Sequence, residues 1–181
     1  MIHPTAYIDP SAEVDETCSV GAGSKVWGHA TLMRGTVVGR NTQIARYAHL
    51  DGAVIGDECK VQNGAYFPPG VTVEDRVFVG PNACFTNHRL PQAVREEPFV
   101  PEPTRVCFDA VICANATIGP GITIGRGAFI AAGATVIRDV PDGATVYGGH
   151  SICIRKESWA VRRHIDRRDW QDVKPDECGE L

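Results

Sequence analysis

A large apolar side chain returns every six positions along most of this chain. One register runs Ile2, Ile8, Val14, Val20, Val26, Leu32, Val38, Ile44 and Leu50. A second, one residue short, runs Ile55, Val61, Phe67, Val73, Val79 and Phe85, and a third runs Val106, Ile112, Ile118, Ile124, Ile130 and Val136. Four residues after each of these the side chain is usually small, as at Cys18, Ser24, Ala30, Thr36, Thr42, Ala48, Cys59, Ala65, Ala83, Ala110, Ala116, Ala128 and Ala134. A period of six does not fit a helix of 3.6 residues per turn. It does fit the two-residue alternation of strands, interrupted by a corner after each short run. Two coupled columns at fixed spacing are the signature of a solenoid, and a hexapeptide period signals a parallel β-helix. Three short strands per turn stack Ile2, Val20 and Val38 in one column and Ile8, Val26 and Ile44 in the next. Residues 2–85 and 106–137 are therefore expected to form about seven triangular coils. Each inward aliphatic contributes roughly 1.5–3 kcal/mol of burial.

The rhythm breaks in three places. Leu50 and Ile55 are five apart, which predicts a shortened corner at Asp51-Gly52. Residues 86–105 have no six-residue rhythm and contain four prolines, Pro91, Pro98, Pro101 and Pro103. A loop of this length without its own rhythm is uncommon and usually functional. From residue 150 the pattern changes in kind, and SWAVRRHIDRRDWQDV has helix-compatible composition. The reading is thus a β-helix domain over 1–149 with a loop excursion at 86–105, followed by a helical tail over 150–181.

Composition narrows the functions. A chain of 181 residues with net charge −4 and no dominant basic run is a poor nucleic-acid binder. No apolar run is long enough to span a bilayer, and the repeat starting at Ile2 leaves no room for a signal peptide, so a cytoplasmic protein without membrane insertion is expected. The seven cysteines show no CxxC spacing and read as reduced thiols. Gly21-Ala22-Gly23 lacks the spacing of a phosphate-binding loop and reads as corner glycines.

Several segments are more specific than the bare repeat: Val26-Trp27, Lys60-Val-Gln-Asn-Gly64, Val73-Glu-Asp-Arg-Val-Phe-Val-Gly-Pro-Asn82, Phe85-Thr-Asn87, Ala114-Asn-Ala-Thr-Ile118 and Val136-Ile-Arg-Asp-Val-Pro141. In these the chain resembles the hexapeptide-repeat, left-handed β-helix acyltransferases, and most closely their nucleotide-sugar amino-N-acetyltransferases. The resemblance implies a left-handed all-β parallel helix, a homotrimer, and acetyl-CoA lying between neighbouring prisms. It also implies transfer of acetyl to the 3-amino group of a UDP- or dTDP-linked sugar. Two departures stand out. Trp27 is followed by Gly28-His29-Ala30 where relatives often carry further histidines. Pro91 is followed by Gln92 where they commonly carry arginine, so a uronic-acid sugar is not carried over.

Acetyl transfer to an amine needs an oriented neutral amine, a donor for the oxyanion and an outlet for the departing thiolate. Asn87 and His88, at the start of the loop, are the catalytic candidates. The amide both accepts and donates, and the imidazole exchanges protons near neutral pH. Asn63, Arg34 and Tyr66 are the substrate-binding candidates. Ala114, Ala131, Ala132 and Gly133 present little side chain to obstruct a pantetheine arm. Arg138 suits a CoA phosphate, and Pro141 suits packing on adenine. His29 and His49 lie twenty residues apart, but the paired histidines of a zinc site are missing, so no metal is expected. Three other functions compete: O-acetylation of a sugar or small-molecule hydroxyl, a metal enzyme like the γ-class carbonic anhydrases, and a non-catalytic β-helical subunit.

Overall fold

A computed structural model describes residues 1–94, 98–148 and 153–155. The chain winds as a parallel β-solenoid with three faces. Face 1 starts at Tyr7–Ile8, face 2 at Glu13–Val14 and face 3 at Ser19–Val20. Nearly every strand is two or three residues long and pairs in parallel with the strand one turn below. Face 1 stacks eight parallel strands and face 2 seven. Face 3 has six, extended at both ends by the single bridges Ile2↔Val20 and Ile124↔Val140. The about seven coils expected thus become about eight, because the winding continues past Val136 through Val140 and Thr145–Tyr147.

The apolar columns are the core. Val26, Ile44, Val61, Val79, Ile112, Ile130 and Val146 line the inside of face 1, each fully buried. Leu32, Leu50, Phe67, Phe85, Ile118 and Val136 do so on face 2. The small column, including Ser24, Thr36 and Thr42, is buried with it. Its hydroxyls find carbonyls across the corner: Thr36 Oγ1 donates to Met33 O at 2.7 Å, and Ser24 Oγ to Gly39 O at 2.6 Å. Ile2 is exposed and Ile8 and Val14 only partly buried, because no coil lies beneath them.

A third column sits one residue before the small one. Gly23, His29, Gly35, Asn41, Tyr47, Glu58, Gly64, Arg76, Asn82, Asp109, Asn115 and Gly133 all have positive φ. The corner demands a left-handed residue, which costs an L-amino acid about 1–2 kcal/mol per position. Glu58 is exposed and its N–H donates to Arg40 O at 2.8 Å, a bond glycine keeps. Glu58→Gly is expected to raise stability by about 0.5–1 kcal/mol after glycine's own entropy cost. A lowered melting temperature would contradict this corner rule.

The shortened corner lies where the spacing put it. Gly52 has φ 66°, and its N–H donates to Met33 O at 2.9 Å and Thr36 Oγ1 at 3.0 Å. The long excursion replaces one corner between faces 2 and 3. The chain leaves after Cys84–Phe85 and re-enters at Thr104–Val106, in register with Val71–Val73. Re-entry falls two residues before the apolar rhythm signals it, since Thr104 is buried but not apolar. The expected tail helix lies outside the described residues, apart from Cys153–Arg155. There the chain is extended, pairing antiparallel with Thr145–Tyr147 and covering the last strand edge of face 1. No helix among the described residues is long and apolar enough to cross a membrane.

Candidate active site

The base of the excursion is built by its own ends. Arg89 Nε lies 2.8 Å from Glu102 Oε2, and Arg89 N–H donates to Glu102 Oε1 at 3.2 Å. Glu102 N–H donates to Asn87 O at 3.0 Å. Pro101 packs against Gly70, whose φ is 97° and where a Cβ would approach the proline to 3.1 Å, so a side chain here would be both strained and crowded. These contacts hold the half-buried Asn87 and His88 against the prism edge between faces 2 and 3.

Both side chains are oriented. Asn87 Nδ2 donates to Pro69 O at 3.2 Å, which leaves Oδ1 as a free acceptor. His88 Nδ1 accepts from Leu90 N–H at 3.1 Å, and the ring packs on Phe99 with centroids 5.8 Å apart. A neutral imidazole whose Nδ1 accepts carries its proton on Nε2. In this geometry His88 therefore offers a donor.

The other candidates fall on different edges. Arg34 shares the edge of faces 2 and 3 with Asn87, and Arg138 sits exposed on that edge nearer the end of the winding. Arg34 pairs with Asp51, with Nε 2.8 Å from Oδ1. Tyr66 points outward from face 2 and stacks on His49, with centroids 5.4 Å apart and planes 10° apart. Asn63, Ala114 and Ala131–Gly133 lie on the opposite edge, between faces 1 and 2, where Gly133 N–H donates to Ala114 O at 2.9 Å. Pro141 lies exposed past Val140, on the edge of faces 3 and 1. One prism thus brings Asn87 and His88 together but holds the proposed pantetheine-facing alanines a full face away.

Three features escaped the sequence reading. Asp51 is buried, 5% exposed, although it points out of face 2 beside His49. Aromatic pairs climb obliquely from face 1 to face 2: Tyr7–Trp27 at 5.6 Å, His29–Tyr47 at 5.2 Å and His49–Tyr66 at 5.4 Å. Their signal was the recurrence of rings about one turn apart. Finally, Leu90, Val94 and Val100 expose apolar surface on the loop.

Cys18, Cys59, Cys84, Cys107 and Cys113 are free thiols. Burial pushes the Cys59 thiol up to about 11, which keeps it unreactive at neutral pH. Among the described residues, no group of three or more His, Cys, Asp or Glu stands close enough to hold a metal ion.

Comparison with known proteins agrees with the winding. The bacterial transferase hexapeptide family (six repeats) matches residues 52–87 and 103–138, on either side of the excursion. The hexapeptide repeat of succinyl-transferase matches 34–67. The chain is 32% identical over 72 residues to an acyl-(acyl-carrier-protein)--UDP-N-acetylglucosamine O-acyltransferase of Psychrobacter sp.. That match covers 33% of this chain and spans about a quarter of the relative, 26%. Among solved structures it shares the fold of LpxA, a UDP-N-acetylglucosamine acyltransferase from Bacteroides fragilis, with TM-score 0.57, 14% identity, and coverage of 94% of this chain and 81% of that one. It also shares the fold of a mutant of AntD, an N-acyltransferase from Bacillus cereus solved with dTDP and coenzyme A. There the TM-score is 0.56, identity 14%, and coverage 95% and 91%. The resemblance to hexapeptide-repeat transferases read from the sequence is borne out in repeat and in fold.

Proposed function

We propose that this chain is an acyltransferase that moves the acetyl group of acetyl-CoA to the amine of a UDP- or dTDP-linked amino sugar. The observation that carries the reading is the fixed Asn87-His88 pair, with one unused acceptor and one unused donor at a loop base. The repeat match and the fold shared with AntD and LpxA support it.

The chemistry follows from those two atoms. The neutral amine attacks the thioester carbonyl, forming C–N as the carbonyl electrons move to oxygen. Asn87 Oδ1 accepts an amine N–H and aims the lone pair, and His88 Nε2–H donates to the developing oxyanion. The oxyanion collapses, C–S breaks, and the surplus amine proton leaves with the thiolate. O-acetylation, the activity in the name of the Psychrobacter relative, remains the second reading. A hydroxyl must lose its proton to a base during attack. His88 with Nδ1 already accepting from Leu90 is poorly set for that, which favours the amine.

The placement of Asn87 and the alanines on two different edges supports a homotrimer. Alanines on the edge of faces 1 and 2 of one copy complete the site only if they face the Asn87 edge of a neighbour. Sedimentation is expected to give a trimer, and a monomer that turns over at full rate would contradict this arrangement. Arg138→Ala is expected to weaken acetyl-CoA binding by roughly 1.5–3 kcal/mol through a lost charge-assisted contact. An unchanged Kd removes Arg138 from the site. The function itself is tested by incubating the chain with acetyl-CoA and paired acceptors, UDP- and dTDP-linked amino sugars and their hydroxyl counterparts, and detecting free thiol. Release that requires the amine supports the reading, and release with the hydroxyl sugars alone overturns it.

A further inference from the structure

Face 2 carries, below the loop, a cluster that the transfer step leaves unused. On the strand His49–Asp51, Leu50 points into the core, so His49 and Asp51 both point out. Asp51 is nevertheless buried, and a buried carboxylate requires a partner. Arg34, one coil below, supplies the charge at 2.8 Å. Its N–H is not aimed at the oxygen, and Asp51 Oδ1 has no hydrogen-bond partner among the described residues, so the contact is ionic. The Arg34 side chain is itself 69% exposed.

The backbone at Arg34 adds weight. Its φ is 50° and that of Gly35 is 73°, so an arginine occupies a left-handed position that glycine would take without cost. Arg34 Nε lies 2.8 Å from Asp51 Oδ1 while most of the side chain is exposed, so its terminal nitrogens are available for bidentate contact with an oxyanion. On the same face His49 and Tyr66 stack ring on ring, and Tyr66 is 41% exposed.

We propose that Asp51 positions Arg34 as a clamp for an oxyanion on the sugar substrate, a phosphate or a carboxylate, while the sugar packs against the exposed part of Tyr66. This deepens the amino-sugar reading and rests on it for the word substrate. Asp51 acts only through Arg34. Holding the guanidinium in place before binding removes part of the ordering cost the ligand would otherwise meet.

The test is calorimetric titration of the full chain with UDP, UDP-glucose, UDP-glucuronate and glucuronate. Arg34→Gln and Asp51→Asn are each expected to weaken binding at least about tenfold, since bonds to charged groups are worth more than one decade. Loss on UDP and UDP-glucose identifies phosphate as the anion read, and loss confined to the two glucuronates identifies carboxylate. Guanidinium ion added at millimolar concentration should partly restore binding to Arg34→Ala, which a purely structural role would not allow. Unchanged affinities in Arg34→Gln, or no binding of any probe by the wild type, overturn the clamp. If Asp51→Asn fails to fold, the exposed Arg34→Gln site still gives the answer. Probe binding that depends on Arg34 in a chain that transfers no acetyl group would sink the proposed function and leave the clamp. Turnover of an amino sugar untouched by Arg34→Gln would do the reverse.

Discussion

Phe85→Ala is expected to destabilise the solenoid by about 3–5 kcal/mol. Phe85 is fully buried, and its ring stacks on Phe67 of the coil below at 4.7 Å, with planes 24° apart. Truncation removes the transfer energy of the ring and leaves a cavity that parallel strands on three faces cannot collapse, because each strand is tied to the turns above and below. The position is sensitive for a second reason. Phe85 is the last interior residue before the excursion, so loosening it frees the loop base that holds Asn87. In a solenoid each coil touches only its neighbours, and local opening there need not await global unfolding. Denaturant titration followed by an intrinsic probe measures the loss. A change below about 1 kcal/mol, well short of a large-to-small core cost, would mean that the interior column is not continuous at this coil.

The winding was legible because one physical demand, an apolar side chain pointing inward from each short strand, recurs without exception from Val20 to Phe85. Even the single-residue slip at Asp51-Gly52 showed in the spacing. The left-handed corner column was legible in principle, since glycine and asparagine fill many of its places. It was hidden by His29, Tyr47, Glu58 and Arg76, which meet the same backbone demand at a cost. Thr104 blurred the loop boundary because a buried hydroxyl does not register as apolar. Asp51 was invisible as a site residue, because burial of an outward side chain depends on Arg34, seventeen positions away in sequence. The loop could be flagged by its prolines and broken rhythm, yet nothing in the sequence gives the Arg89–Glu102 closure or the tautomer that Leu90 imposes on His88.

That tautomer sets the second large effect. His88→Ala is expected to lower kcat by about 10²–10³, the range seen when one oxyanion donor is removed. His88→Gln, which keeps an N–H of similar reach, should retain much of the rate. If His88 were instead the proton acceptor, glutamine would be as damaging as alanine, because an amide nitrogen takes up no proton near neutral pH. Asn87→Ala removes the acceptor that aims the amine and should raise KM for the sugar as well as lower kcat. Its melting temperature should change little, since the backbone bond from Glu102 to the Asn87 carbonyl survives the substitution. Steady-state rates for the three variants, taken with saturating acetyl-CoA across the neutral pH range, separate donor from base.

The loop-held Asn87-His88 pair is proposed to carry the transfer. That role is tested most directly by thiol release from acetyl-CoA in the combined Asn87→Ala, His88→Ala variant, with an accepted amino sugar and with CoA affinity and melting temperature measured alongside. The expected result is a folded protein that still binds CoA and whose rate falls by roughly 10³-fold or more. Full activity in that double variant would place the catalytic centre elsewhere on the solenoid.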